Sequence, residues 1–204
     1  MWAGAEALLR WQHPTRGLVP PGEFIPIAEE SDLIVGLGRW VFTEAVRLIE
    51  REAAAGRTLA LSVNLSPRQF RQPDFVAWMH QLLTEHAIDP AQLTLEITEG
   101  LFIGDVEEAI SRMQILTSLG LHFSIDDFGT GYSSLAYLKR LPISELKIDK
   151  SFIQDAPTHP DDAALVETIL SVARHMQLKV VAEGVETVDQ AGFLAKREPQ
   201  VILQ

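Results

Sequence analysis

The chain contains no cysteine among its 204 residues. A disulfide framework and a thiolate metal site are therefore both excluded, and any bound metal must be held by oxygen or imidazole ligands. The six histidines contain no pair at the i, i+4 spacing of a helical zinc motif. The ligands of a metal site in this chain are thus expected to be oxygen atoms.

Long apolar runs and an excess of basic residues are also missing. No stretch approaches the roughly 18 apolar residues of a membrane span, and residues 1–11 lack the features of a signal peptide. We therefore expect a cytoplasmic location. With 17 basic against 28 acidic residues and a net charge of −11, a surface for duplex nucleic acid is disfavoured. An anionic ligand would have to bind where local cations overcome the overall field.

The composition is that of one compact domain with a substantial core. Hydrophobic residues make up 47% of the chain and the mean hydropathy is +0.09. No linker or low-complexity tract interrupts the sequence, so we predict a single domain over residues 1–204.

Strand-like runs alternate with amphipathic helical segments along the whole chain. The predicted strands are residues 5–9, 59–64, 93–97, 122–126, 145–149, 179–183 and 200–203. The predicted helices are residues 36–55, 74–87, 105–119, 161–176 and 187–196. Such alternation predicts βαβ units and a parallel sheet. Seven strands are one fewer than the eight of a TIM-type (β/α)₈ barrel.

Acidic or amide residues lie in or directly after five of the seven predicted strands. They are Glu6, Asn64, Glu96, Asp126 with Asp127, and Glu183. Strand ends of a parallel barrel meet on one face, so these side chains would form one ring of hard oxygen ligands suited to Mg²⁺ or Mn²⁺. Any one of them alone would be interpreted as a solvated strand end or a helix cap. The adjacent pair Asp126 and Asp127 is the most specific signal, because neighbouring carboxylates repel unless a cation or proton lies between them.

Lys147 is a cation inside an apolar strand, and in a parallel barrel it would be directed at the same ring. It has two interpretations, which are compatible. In one it orients a water molecule, neutralises a phosphate oxygen or acts as a base. In the other it forms a structural salt bridge to one of the acids.

Seven segments resemble the EAL phosphodiesterase family, in the family's order. Residues 5–11 read AEALLRW, residues 24–29 FIPIAE, residues 62–66 SVNLS, residues 95–99 LEITE, residues 125–135 IDDFGTGYSSL, residues 146–152 LKIDKSF and residues 182–187 AEGVET. The resemblance implies a (β/α)₈ barrel that hydrolyses cyclic di-GMP to the linear dinucleotide pGpG with two Mg²⁺ or Mn²⁺ ions.

The resemblance also implies a role for each matching residue. Glu6, Asn64, Glu96 and Asp126 would hold one metal ion. Asp126, Asp127 and Glu183 would hold the other. Lys147 would contact the nucleophilic water, and Glu186 would support this side of the site. Arg10 would contact a substrate phosphate and Leu8 would pack on the ligand, with Asp149 and Gln204 as further substrate-binding residues.

Residues 128–135 resemble the family's loop that couples the site to a dimer interface, with Glu99 steadying the loop. The alternative for Glu99 is an exposed helix cap. A phosphate cradle at residues 129–131 is disfavoured, because the lysine and the spacing of a P-loop are missing. The resemblance further implies a homodimer, and upstream sensory or GGDEF domains in a longer protein.

Both ends depart from the family pattern. The strand expected before Glu6 is missing, and the closing helix expected after Gln204 is missing too. We therefore expect an open seam in the barrel and weak turnover. A catalytically weak or inactive cyclic di-GMP receptor is one alternative, although the complete ligand set counts against it. An unrelated metal-dependent barrel enzyme with Lys147 as base is another.

Overall fold

The structure is a computed structural model, and it describes residues 4–130 and 135–204. The chain divides into two compact units. One comprises Met1–Glu96 with Gln114–His122, and the other comprises Ile97–Met113 with Phe123–Gln204. The strand β5 (Leu93–Thr98), the helix α5 (Val106–Ser118) and the strand β6 (His122–Phe128) contain residues of both units.

The first unit begins with short strands and then alternates helices with strands. Its other strands are β1 (Ala5–Ala7), β2 (Trp11–His13), β3 (Gly17–Val19) and β4 (Leu61–Asn64). Its helices are α1 (Pro21–Glu30), α2 (Leu33–Ala54), α3 (Pro67–Phe70) and α4 (Phe75–Glu85). The strands β1, β4 and β5 pair in parallel, in that order.

Four elements of this unit were not predicted from the sequence, namely β2, β3, α1 and α3. The strands β2 and β3 form an antiparallel hairpin. Its turn is stabilised by the ring of His13, whose Nδ1 accepts hydrogen bonds from the backbone N–H groups of Thr15 and Arg16, both at 3.2 Å. The helix α1 contains Pro26, a residue that normally interrupts a helix. This proline hides the helical pattern in the sequence.

The second unit continues the alternation. Its further elements are α6 (Leu135–Leu138), β7 (Glu145–Ile148), α7 (Lys150–Asp155), α8 (Pro160–His175), β8 (Lys179–Ala182), α9 (Val188–Arg197) and β9 (Ile202–Leu203). The strands β6, β7, β8 and β9 pair in parallel, in that order. Within the described residues the seven predicted strands and five predicted helices are therefore confirmed, with boundaries displaced by a few residues.

Each unit has its own apolar core. In the first, α2 buries Phe42, whose ring lies 6.4 Å from that of Phe75, and Phe75 lies 5.9 Å from Phe70. In the second, α8 buries Ile169 and Leu170. Burying one such side chain contributes about 1.5–3 kcal/mol. Among the described residues, no helix has both the length and the apolar character needed to cross a membrane.

Candidate active site

The first unit places three oxygen-bearing side chains on one face of its parallel ladder. Glu6 pairs with Ser62 in β4, and Asn64, two residues further along β4, pairs with Glu96 in β5. Because side chains alternate between faces with a period of two, Glu6, Asn64 and Glu96 share a face. The Nδ2 atom of Asn64 donates a hydrogen bond to Glu6 Oε1 at 2.8 Å. The amide oxygen of Asn64 is the atom that a hard cation prefers.

The exit of β4 is held by two links to the junction between α1 and α2. Ser66 Oγ donates a hydrogen bond to Glu29 Oε1 at 2.8 Å. Arg68 contacts one oxygen of Asp32 twice, from Nε at 3.0 Å and from Nη2 at 2.8 Å. The part-buried link from Ser66 lies two residues after Asn64 and restricts the backbone that positions its amide, whereas the ion pair of Arg68 with Asp32 is exposed and contributes little.

In the second unit, β6 carries a bulge at its carboxyl end. Ile125 pairs with Leu146 and Phe128 pairs with Ile148, so β6 takes three steps where β7 takes two. Asp127 lies in this bulge with φ of 53°, a left-handed conformation that Asn and Asp tolerate better than other non-glycine residues. A regular strand would direct Asp126 and Asp127 to opposite faces, whereas a bulge re-aims side chains.

The bulge brings both aspartates together with Glu183. One carboxylate oxygen from each of Asp126, Asp127 and Glu183 lies within 4.8 Å of the other two. Lys147 stands beside them, with Nζ at 2.6 Å from Glu183 Oε1 and 3.3 Å from Asp126 Oδ1. This lysine is 1% exposed, so the carboxylates compensate a buried positive charge. The sequence-based structural interpretation of Lys147 is therefore confirmed by these two salt bridges.

The electrostatics of the cluster show how strongly its negative charges interact. Burial, followed by repulsion from Asp126, Asp149 and Glu183, raises the pKa of Asp127 to about 6, and a hydrogen bond to Asp149 adds to this. For Asp149, burial opposes ionisation, but hydrogen bonds from Ser151 and Asp127 outweigh it and lower the pKa below its ordinary value. A cation among these oxygens would relieve the repulsion that raises the pKa of Asp127.

Asp149 itself has a structural partner. It is the N-cap of α7, and its carboxylate accepts hydrogen bonds from both the backbone N–H and the hydroxyl of Ser151. Because the negative charge of Asp149 also raises the pKa of Asp127, Asp149 lies close to the carboxylate cluster. Its substrate-binding role stays a prediction.

Glu99 lies at the start of a 3₁₀ turn, Glu99–Phe102, that follows β5. Its Oε1 accepts a hydrogen bond from the backbone N–H of Gly129 at 3.2 Å. Its Oε2 is buried and has no hydrogen-bond partner among residues 4–130 and 135–204. Glu99 thus contacts the beginning of the predicted lid loop, of which residues 131–134 lie outside the described part of the chain.

The loop after β8 carries Glu183 and Glu186 and is fixed at several points. Glu183 N donates to Ile148 O at 3.1 Å, and Val185 N donates to Gln204 O at 3.0 Å. Gln204 N in turn donates to Ala182 O at 2.9 Å. The backbone of the predicted substrate residue Gln204 therefore lies beside the loop that carries Glu183.

Leu8 and Arg10 follow β1 in the first unit. Leu8 is 56% exposed. Arg10 is exposed, and its Nη1 donates a hydrogen bond to the carbonyl oxygen of Leu9 at 2.8 Å. Both side chains are accessible to a ligand, and their assignment to substrate stays a prediction.

Sequence reasoning assigned no role to three residues that support these groups, Glu29, Ser66 and Gln190, although Glu29 and Ser66 end two of the matched segments. The signal for Gln190 was present, because Thr187 and Gln190 have the spacing of a capping box, which α9 forms. The contact between Glu29 and Ser66 joins residues 37 positions apart, so no local sequence pattern could predict it.

Known proteins resemble this chain over almost its full length. The EAL domain family matches residues 2–202. The bifunctional diguanylate cyclase/cyclic di-GMP phosphodiesterase MucR of Pseudomonas aeruginosa is 46% identical, over 95% of this chain and 28% of MucR. The cyclic di-GMP phosphodiesterase PdeR of Escherichia coli is 43% identical, over 94% of this chain and 29% of PdeR. The chain thus spans less than a third of the length of either relative.

A solved structure shows the same fold. The MucR phosphodiesterase in complex with c-di-GMP superposes with a TM-score of 0.90 at 46% identity, covering 95% of this chain and 78% of that one. This similarity confirms the predicted TIM-type α/β fold class.

Proposed function

Because the chain belongs to the EAL domain family, we propose that it hydrolyses one phosphodiester bond of cyclic di-GMP to give linear pGpG. The relatives MucR and PdeR are named as cyclic di-GMP phosphodiesterases, which supports the reaction class and the substrate. The observation that carries the proposal is the cluster of Asp126, Asp127 and Glu183 beside the buried Lys147.

The chemistry of these residues fits a divalent cation. Three carboxylate oxygens lie within 4.8 Å of one another, and oxygen donors of this kind select Mg²⁺ or Mn²⁺ over softer metals. In the proposal, Asp126, Asp127 and Glu183 hold one ion, while Glu6, Asn64 and Glu96 contribute the ligands of a second. When bound, such cations would lower the pKa of a water molecule and offset the negative charge of the phosphate.

The protein's own groups position the reactants. Lys147 Nζ, held by Glu183 and Asp126, orients the water and interacts with a phosphate oxygen. Water adds to phosphorus as the bond from phosphorus to the ribose 3′ oxygen breaks, a carboxylate of the cluster accepts the water proton, and the released 3′ oxygen gains a proton. The products are a 5′-phosphate and a 3′-hydroxyl on one linear dinucleotide.

Substrate recognition requires cations, because the chain carries a net charge of −11. Arg10 supplies a guanidinium for a phosphate of cyclic di-GMP. Leu8 packs on the ligand, and Glu186, Asp149 and Gln204 complete this side of the site. Glu99 links the site to the segment that begins at Gly129.

The chain acts in the proposal as the phosphodiesterase part of a longer signalling protein. Its coverage of 28% of MucR and 29% of PdeR supports this arrangement. A homodimer, upstream sensory or GGDEF domains and a cytoplasmic location stay predictions from the sequence.

Product analysis tests the proposal. The purified protein is incubated with cyclic di-GMP and Mn²⁺, with and without excess chelator, and the nucleotides are separated by chromatography. Linear dinucleotide that forms only without chelator supports it. Tight binding without product would indicate a receptor instead, and failure to bind cyclic di-GMP would favour an unrelated enzyme.

A further inference from the structure

Gln190 is one of few polar side chains buried in the second unit, with 7% of its surface exposed. It lies in the first turn of α9, and its Oε1 accepts hydrogen bonds from the backbone N–H groups of Glu186 and Thr187, both at 2.8 Å. Thr187 Oγ1 accepts from Gln190 N at 3.2 Å, which completes a capping box. These bonds account for one end of the Gln190 amide.

The other end of the amide forms a bond that a helix cap does not need. Gln190 Nε2 donates to the backbone carbonyl of Gln154 at 3.3 Å, across 36 positions of the sequence. Gln154 lies in the last turn of α7. One buried side chain therefore joins the loop carrying Glu186 to a second helix.

The opposite end of α7 contacts the same loop. Gly184 directly follows Glu183 and has φ of +64°, and a Cβ atom added there would lie 2.6 Å from the Cβ of Lys150, the first residue of α7. This close approach tolerates no side chain at position 184. The loop at residues 183–187 thus packs against the first turn of α7 at Gly184 and is joined to the last turn of α7 through Gln190.

Helix α7 begins next to the carboxylate cluster. Its N-cap is Asp149, which directly follows Ile148 of β7, and Ile148 pairs with Phe128, the neighbour of Asp127 in β6. Displacement of the loop relative to α7 would therefore displace Glu183 relative to Asp127, two of the three carboxylates in the cluster.

We propose that Gln190 is a positioning residue for the carboxylate cluster of Asp126, Asp127 and Glu183. It positions these carboxylates by cross-linking the loop at residues 183–187 to α7. The inference rests on the proposed function in one respect, that the cluster binds a divalent cation. Partners that orient metal ligands typically change metal affinity by about 10–100-fold when they are removed. The cap alone would affect only stability.

Two variants separate the cross-link from the cap. Gln190→Glu keeps an acceptor for both N–H groups and places a negative charge at a helix N-terminus, which preserves the cap. It removes the donor to Gln154. Thr187→Ala removes the side-chain acceptor of the cap and leaves the bond to Gln154 in place. The added charge in Gln190→Glu would by itself favour cation binding, so a loss of affinity is attributable to the missing bond.

The experiment is calorimetric titration of the metal-free proteins with MnCl₂, accompanied by thermal unfolding. We expect Gln190→Glu to bind Mn²⁺ about tenfold more weakly than the parent, and Thr187→Ala to melt at a lower temperature with Mn²⁺ affinity within about twofold of the parent. Parental affinity in Gln190→Glu, or an equal loss in Thr187→Ala, would overturn the inference. Because no nucleotide is present, a failure to hydrolyse cyclic di-GMP would contradict the proposed function without altering this result.

Discussion

The ammonium of Lys147 lies 2.6 Å from the carboxylate of Glu183 and is almost completely buried. Asp126 contacts the same ammonium at 3.3 Å. The lysine therefore compensates part of the negative charge of the carboxylate cluster. A divalent cation added to this cluster would take over some of that compensation and leave Lys147 available for a phosphate or a water.

Replacing Lys147 with methionine tests this compensation. Lys147→Met keeps the length of the side chain but leaves Asp126 and Glu183 without their cation. Removing one partner of a buried pair costs about 3–5 kcal/mol, so the metal-free variant should unfold at a clearly lower temperature. Mn²⁺ should raise its melting temperature more than that of the parent.

The exposed Lys139 offers a matched control. Lys139→Met removes the same charge at the surface, where an effect within about 0.5 kcal/mol is expected. Equal unfolding temperatures for Lys147→Met and Lys139→Met would show that Lys147 does not hold the cluster together.

The raised pKa of Asp127 makes the stability of the metal-free protein depend on pH. Its pKa is about 6 in the folded protein against 3.8 ordinarily, so the folded state binds more protons between these values. Stability then falls as pH rises through this window. Asp127→Asn removes the charge and suits the left-handed backbone, so it should melt above the parent at about pH 7–8.

The comparison is made by thermal unfolding of both proteins in chelator across the pH range. The difference between them should shrink towards about pH 4, where Asp127 is protonated in the parent as well. A constant difference at all pH values would contradict the electrostatic explanation. The same variant should lose Mn²⁺ binding.

The link between Glu29 and Ser66 should support metal binding in the first unit. Glu29→Ala removes the acceptor of the Ser66 hydroxyl, which lies two residues after Asn64. We expect Mn²⁺ affinity to fall about tenfold. Asp32→Ala is the control, because it removes only an exposed ion pair with Arg68, and such pairs contribute about 0–1 kcal/mol. Equal Mn²⁺ affinities in the two variants would remove the supporting role of Glu29.

Glu99 should affect turnover more than metal binding. It contacts Gly129 at the start of the predicted lid rather than the carboxylate cluster. Glu99→Ala is expected to lower kcat about tenfold or more while the Mn²⁺ dissociation constant changes by less than about threefold. Steady-state kinetics with parallel calorimetry distinguish the two effects, and similar losses in both would assign Glu99 to the metal site instead.

The strands and the acidic residues were predictable because both depend on local patterns. The apolar run at Leu93, Leu95 and Ile97 marks β5 without reference to the rest of the chain, and Glu96 stands out within it. The order of the seven motifs allowed roles to be assigned residue by residue.

Features that depend on distant contacts were not predictable. The bulge at Asp126 and Asp127 is defined by the register with β7, which no local pattern specifies. The helix α1 was obscured by Pro26, because a proline inside a segment normally predicts that no helix continues through it. The hydrogen bond from Gln190 Nε2 joins α9 to a carbonyl 36 residues away, so only the capping spacing was visible in the sequence.

The most direct test of the account is the rate of pGpG formation by the parent and by Asp126→Asn at saturating cyclic di-GMP and Mn²⁺. Asparagine keeps the size of the side chain and removes the negative charge of one of the three carboxylates in the cluster. The account predicts a rate at least about 100-fold lower in the variant, which corresponds to about 2.7 kcal/mol of barrier. Equal rates in the two proteins, or no pGpG from the parent, would contradict it.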